Sequence, residues 1–265
     1  TCKDEGEKTY TCTVCGATKT EPIEKLATHT WDEGKVTKAP TLYEDGRKTY
    51  TCTVCGDTYS VRIPKLDSCD GGKDCPSHKF TDVNNTEWYH SAVDYAVHYE
   101  FFAGTSDTTF SPNAPMTRAM LVTVLWRIAG RPEAKATTSF QDVAANQYYA
   151  EAVAWAKENG IVAGTSATTF SPNAKVTREQ MAAILFRFAK YVNVVDMDRR
   201  GDLKSFPDAS SVSSYAEEAL SWAVEYGLIS GTLKNGKAYL DPQGNATRAQ
   251  VASVLMRFNK MVVPN

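Results

Sequence analysis

No cysteine occurs after position 75: all seven, at 2, 12, 15, 52, 55, 69 and 75, fall at the start of a chain of 265 residues. The later residues therefore cannot rely on disulfides or thiolate-bound metal and must bury a core, while the earlier ones read as a small cross-linked or metal-stapled region. A charge bias is also missing. Lys plus Arg number 29 against 31 Asp plus Glu, for a net charge of −2, which argues against a polybasic nucleic-acid binder. Apolar runs stop short, as at Met181 to Phe186, well below the roughly 18 to 20 residues that cross a bilayer, so no spanning helix is expected. Histidine is scarce, at 29, 78, 90 and 98, and no HExxH, GxSxG or P-loop motif is present. The repeated acids Asp82, Asp142 and Asp208 read as turn and cap residues, and a catalytic function is not expected.

At a shift of 40 residues, Lys8-Thr-Tyr-Thr-Cys12-Thr-Val-Cys15-Gly16 repeats as Lys48-Thr-Tyr-Thr-Cys52-Thr-Val-Cys55-Gly56. Thr, Tyr and Val flank each CxxCG, Asp45-Gly46 signals a turn, and Pro22, Pro40 and Pro64 break helices, so the region reads as short β-hairpins. In the first copy Cys2, Cys12, Cys15 and His29 form a Cys₃His set suited to tetrahedral zinc. In the second, Leu42 stands in place of Cys2 and Cys69 in place of His29. An alternative is that Cys69 and Cys75 close a disulfide loop, with the CxxC pairs oxidised or free. A thioredoxin-like role would need a βαβ unit for which there is no room. The modules are expected to be spacers or small adhesive domains.

From Phe80 onward a longer unit occurs three times, opening with Phe80-Thr-Asp82, Phe140-Gln-Asp142 and Phe206-Pro-Asp208. Each opening leads to an aromatic, Trp88, Tyr148 or Tyr215, and then to an amphipathic helix expected over 92–99, 152–159 and 219–226. Gly160 and Gly227 end two of these helices where a left-handed residue is expected; Glu100 takes that place in the first. A loop containing Gly104, Gly164 or Gly231 follows. A second helix begins at Thr117-Arg118, Thr177-Arg178 or Thr247-Arg248, with Gln180 and Gln250 completing a capping box that Met120 breaks. No copy could bury its own apolar stripe, so three must pack together, most simply as a central three-helix bundle with pseudo-threefold symmetry.

A cation in the first turn of a helix opposes the macrodipole by about 0.3 kcal/mol or more, yet Arg118, Arg178 and Arg248 all sit there. An acidic ligand would explain them, since free helix amides and the guanidinium would converge on one charge. The alternative is pairing with Asp82, Asp142 or Asp208 of a neighbouring copy. Arg127, Arg187 and Arg257, nine residues later, are read as structural. Trp88, Tyr148 and Tyr215 suit either sugar stacking or a core.

Taken together, the FxDV opening, the aromatic, the GTSxTTFSPN loop and the TRxQ helix start over about residues 78 to 262 closely resemble the S-layer homology (SLH) domain. The resemblance implies a mainly α fold, three helix-loop-helix repeats in a pseudo-threefold three-pronged spindle, preceded by the β-hairpin Cys region. It implies domains at 1–30, 31–77, 78–136, 137–200 and 201–265. It implies a secreted, non-catalytic module attached to the bacterial cell wall that binds a secondary cell-wall polysaccharide linked to peptidoglycan, commonly one with pyruvylated amino sugar. By motif, the ligand contacts would be Arg118, Arg178 and Arg248; Asp82, Asp142 and Asp208; Trp88, Tyr148 and Tyr215; and Gly104, Gly164 and Gly231. Copy three lacks the GTSxTTF loop, so the grooves using Arg118 and Arg178 are expected to outrank the one using Arg248. The Cys modules are similar to short repeats found beside SLH domains in large surface proteins, and the first residues begin inside a repeat, so a longer protein with an upstream effector region is expected. No cofactor is required, though zinc would suit the Cys repeats. Two other readings are a surface-layer self-assembly module and a zinc or redox Cys module carried on a passive helical scaffold.

Overall fold

The computed structural model describes residues 1–41, 43–66, 69, 71–193 and 195–262; Leu42, which aligns with Cys2 across the repeat, lies outside them. The chain divides into two compact units, residues 1–69 and 70–265. Among the described residues no helix is long and apolar enough to cross a membrane.

The first unit is built of short antiparallel strands. Strands β1 (Gly6–Thr11) and β2 (Thr18–Ile23) form a hairpin, and β3 (Lys35–Lys38), β4 (Gly46–Thr51) and β5 (Thr58–Ile63) form a three-stranded sheet in that order. The CxxCG sequences are the turns of the β1–β2 and β4–β5 hairpins. Each closes by the same bonds, Gly16 N–H to the Cys12 carbonyl and Gly56 N–H to the Cys52 carbonyl, both 2.9 Å. Gly16 and Gly56 take φ of 74° and 76°, a conformation that disfavours any side chain. Burial is sparse: of the described residues in this unit only Gly46 and Cys52 are fully enclosed.

The second unit carries the helices α1 (His90–His98), α2 (Arg118–Ile128), α3 (Ala150–Glu158), α4 (Arg178–Val192), α5 (Ser214–Glu225) and α6 (Arg248–Val262). A small hairpin, β6 (Thr232–Lys234) and β7 (Lys237–Tyr239), replaces the GTSxTTF loop in the third copy. Each second helix packs on the first helix of the next copy: α2 on α3, α4 on α5, and α6 back on α1. The first helices present buried alanines, Ala92 and Ala96, Ala152 and Ala156, Ala219 and Ala223, which allow this close approach. Second helices also meet one another, with the Phe188 ring of α4 and the Phe258 ring of α6 5.7 Å apart.

Three backbone bonds close the cycle where the second helices begin. Met116 N–H donates to the Ala246 carbonyl (2.8 Å), Ala246 N–H to Val176 (2.9 Å), and Val176 N–H to Met116 (2.9 Å). Thr177 with Gln180 makes the full capping box; Thr247 and Gln250 exchange the same pair of bonds, and Thr117 caps α2 through the Met120 amide alone. The first helices end at Glu100, Gly160 and Gly227 with φ of 57°, 67° and 64°, so one left-handed residue serves all three despite the sequence change.

Candidate functional site

Each Arg of a second helix reaches into the following copy. Arg118 donates from Nε to the Phe170 carbonyl (2.8 Å) and from Nη2 to that of Ala163 (2.9 Å); Arg248 does the same to Phe110 (2.7 Å) and Ala103 (2.7 Å). The opening aspartate grips the same loop from within its own copy. Asp142 accepts from the Phe170 and Ser171 amides, Asp82 from Phe110 and Ser111, and Asp208 from Leu240 and Asp241, at 2.7 to 2.9 Å. Burial would raise the Asp142 carboxyl, but the two amides prevail and hold it below its ordinary value.

Two expectations about these arginines are corrected. The helix-start amides are not available to an anion: Arg118 N–H donates to Ala174 and Ala119 N–H to Pro172, with matching bonds at Arg178 and Glu179 and at Arg248 and Ala249. Nor, among the described residues, do the guanidinium groups pair with the aspartates; they donate to backbone carbonyls, which is why a cation is tolerated at a helix start.

Two open grooves result, of about 300 and 290 Å³. One joins Gly104, Met120 and Arg127 of the first copy, Tyr148 of the second and Arg248 of the third. The other joins Gly164, Gln180 and Arg187 of the second, Tyr215 of the third and Arg118 of the first. Each groove therefore draws on all three copies. Each also holds two cations. Burial lowers the Arg118 guanidinium, and Arg187 nearby lowers it further; burial, with Arg127 contributing, brings Arg248 down to about 10 against the pull of Asp82, so it remains charged at neutral pH. Arg127 donates to the Phe101 carbonyl (3.1 Å), whereas Arg187 is exposed. Arg127 and Arg187 are thus groove residues that the sequence reading assigned to structure; their nine-residue spacing from the first Arg was the available signal.

The third position differs. Arg178 donates to the Leu240 carbonyl (2.6 Å), but Leu240 replaces the ring over which Arg118 and Arg248 lie at 4.7 and 4.5 Å from the Phe170 and Phe110 centroids. The expected order of grooves is corrected accordingly. Because an Arg serves the loop of the next copy, the altered third loop belongs with Arg178, and the two GTSxTTF loops belong with Arg248 and Arg118.

Trp88, Tyr148 and Tyr215 are 64%, 62% and 54% exposed, so they are not core residues; the neighbouring Tyr89, Tyr149 and Ala216 fill that place. Tyr148 and Tyr215 line the two grooves, and the Trp88 ring lies edge-on to Tyr89 with centroids 5.4 Å apart. The Tyr215 hydroxyl donates to Glu179 (2.9 Å). Gly104 and Gly164 are required by space: a Cβ would collide with the carbonyls of Ser106 and Thr109, or Ser166 and Thr169, and with Phe80 or Phe140.

In the first unit the expected zinc set is divided. Cys2 and His29 lie with Cys52 and Cys55 of the second CxxCG, not with Cys12 and Cys15 of the first. Cys69 and Cys75 are disulfide-bonded.

Three segments, residues 79–119, 139–182 and 205–252, match the family model of the S-layer homology domain. A surface-layer 125 kDa protein of Lysinibacillus sphaericus is 36% identical over 68% of this chain, and an endoglucanase of Bacillus sp. (strain KSM-635) 35% over 66%. The S-layer protein sap of Bacillus anthracis is 27% identical over 68%. The matched region spans only 15%, 18% and 21% of those proteins.

Proposed function

Because the chain belongs to the S-layer homology domain family, we propose that its second unit is a non-catalytic anchor that binds an anionic secondary cell-wall polysaccharide in the grooves of Arg118 and Arg248. The observation that carries this reading is the convergence of two guanidinium groups and one exposed tyrosine in each groove. The clamp on backbone carbonyls leaves the Arg118 Nη1 amine and one Nη2 hydrogen for a ligand. A sugar carboxylate, such as a pyruvate ketal, would accept from these and from Arg187, and the tyrosine would stack on the sugar face. Anchoring to the cell surface is the family's role; the polysaccharide, the three-pronged spindle and the domain limits at 78–136, 137–200 and 201–265 are part of this proposal.

Co-sedimentation of the full chain with native sacculi, and with sacculi stripped of secondary polysaccharide, tests it. Binding to native walls alone, weakened by salt and by R187Q together with R127Q, is expected. Equal binding to stripped walls, or binding unchanged in the double variant, would remove the grooves from the reading and favour self-assembly instead.

A further inference from the structure

The first unit has almost nothing to hold it by burial. Its strands are largely exposed, and only Gly46 and Cys52 are enclosed among its described residues. A region of this size without a core needs another staple. Four side chains meet where one could act. The Cys2 and Cys52 sulfurs are 3.6 Å apart, the Cys55 sulfur is 3.3 Å from His29 Nδ1, and all four donor atoms lie within 4.8 Å of one another.

These distances match a tetrahedral ion. Zinc–sulfur bonds of about 2.3 Å place two sulfurs about 3.8 Å apart, and a shorter zinc–nitrogen bond brings sulfur and nitrogen to about 3.6 Å. The surroundings position each ligand separately. The turn that carries Cys52 and Cys55 is closed by Cys52 N–H to the Asp57 carbonyl (2.7 Å) and Gly56 N–H to the Cys52 carbonyl (2.9 Å). The chain before β3 is laid along β4 by Thr53 N–H to the Thr30 carbonyl (2.8 Å) and Asp32 N–H to that of Thr51 (2.9 Å), which delivers His29, itself stacked on Trp31. Leu26 N–H donates to the Thr1 carbonyl (2.9 Å), and Lys3 pairs with Asp57, so Cys2 is fixed from both sides.

We infer that Cys2, His29, Cys52 and Cys55 bind one structural zinc ion that ties the first Cys repeat to the second. The thiols release their protons to solvent on binding. The assignment explains why the ligand pattern does not recur within a copy: Cys2 and His29 serve the CxxCG of the following repeat, so their counterparts at 42 and 69 need not be ligands. Among the described residues Cys12 and Cys15 have the same turn without a third or fourth ligand.

The full chain, purified under reducing conditions and supplied with Zn²⁺ or Co²⁺, tests this. Elemental analysis should find about one zinc per chain, and Co²⁺ should give thiolate charge-transfer bands with tetrahedral ligand-field absorption. C2S and C52S should lose zinc affinity by more than roughly 100-fold, beyond what supporting partners alone contribute, while C12S and C15S keep it. H29C should retain the metal and strengthen the charge-transfer bands, a change that no merely folded protein would show. Thiol titration should find Cys12 and Cys15 reactive at once and the other three free cysteines protected until a chelator is added. Zinc lost in C12S but kept in C2S, an unaltered cobalt spectrum in H29C, or no uptake by the reduced chain would each overturn the assignment.

Discussion

The grooves of Arg118 and Arg248 differ from the equivalent place at Arg178, although the three arginines stand in near-identical sequence. The Arg itself does not decide the outcome; the loop of the next copy does. Arg118 and Arg248 meet a phenylalanine carbonyl, a second carbonyl and an aromatic face, and Arg178 meets the Leu240 carbonyl beside a β-hairpin. The surroundings of an Arg therefore change one copy away from the sequence change, and comparing copies one at a time misplaces the difference.

The sharpest way to break the contrast is to empty the ring beneath Arg118. Phe170 is fully buried, and its replacement by alanine should cost about 3 to 5 kcal/mol through lost burial and the cavity left behind. Denaturant unfolding reads this directly. A smaller loss would mean that the loop collapses onto Asp142 and that the ring is dispensable.

Next is the pair R118A and R178A. Arg118 makes two charge-assisted bonds and a ring contact, so its loss should cost about 2 to 3 kcal/mol. Arg178→Ala should cost about 1 kcal/mol less, since a single side-chain bond to Leu240 is given up. Comparing the two unfolding midpoints decides it; equal losses would show that the three clamps are energetically alike.

Glu179 separates the two open grooves from each other. Its equivalents in the other copies are Ala119 and Ala249, whereas here a buried carboxylate accepts from Ser213 N–H (3.0 Å), Ser213 Oγ (2.8 Å) and the Tyr215 hydroxyl (2.9 Å). Burial would raise this carboxyl, but the donors outweigh it and lower it below its ordinary 4.5. A depressed value in the folded state gives stability that is fully present above pH 4.5 and fades as the pH falls through the folded-state value. Glu179→Gln should thus cost about 1 to 2 kcal/mol at neutral pH, with the two stability curves converging in acid. Parallel curves would show that the carboxylate charge contributes nothing.

Much of this was legible in the sequence because repetition averages out noise. The helices, the caps at Thr177 and Thr247 and the left-handed ends at Gly160 and Gly227 recur with local chemistry that forces them. What could not be read was the connection between copies. The spacing of Arg118 from Thr117 says nothing of Phe170, and the nearness of Cys2 to Cys12 in the sequence hides Cys52, because both partners are supplied from one repeat further along. The groove positions of Arg127 and Arg187 are hidden for a related reason: a cation near a helix C-terminal half is favoured by the dipole anyway, so its place in the sequence carries no sign of the groove it lines.

Drift at a local position should, by the same logic, leave the grooves intact. Glu100 ends the first helix at φ 57°, where the other copies use glycine. A side chain in that conformation costs about 1 kcal/mol relative to glycine. Its compensation is an exposed contact with Arg131 at 3.4 Å, and such surface pairs return only about 0.5 kcal/mol. Glu100→Gly should therefore stabilise the second unit by roughly 0.5 to 1 kcal/mol in thermal unfolding, with wall binding unchanged. A destabilised variant would mean that the Arg131 contact organises the turn after α2, and a change in wall binding would show that a cap is coupled to a groove it does not line.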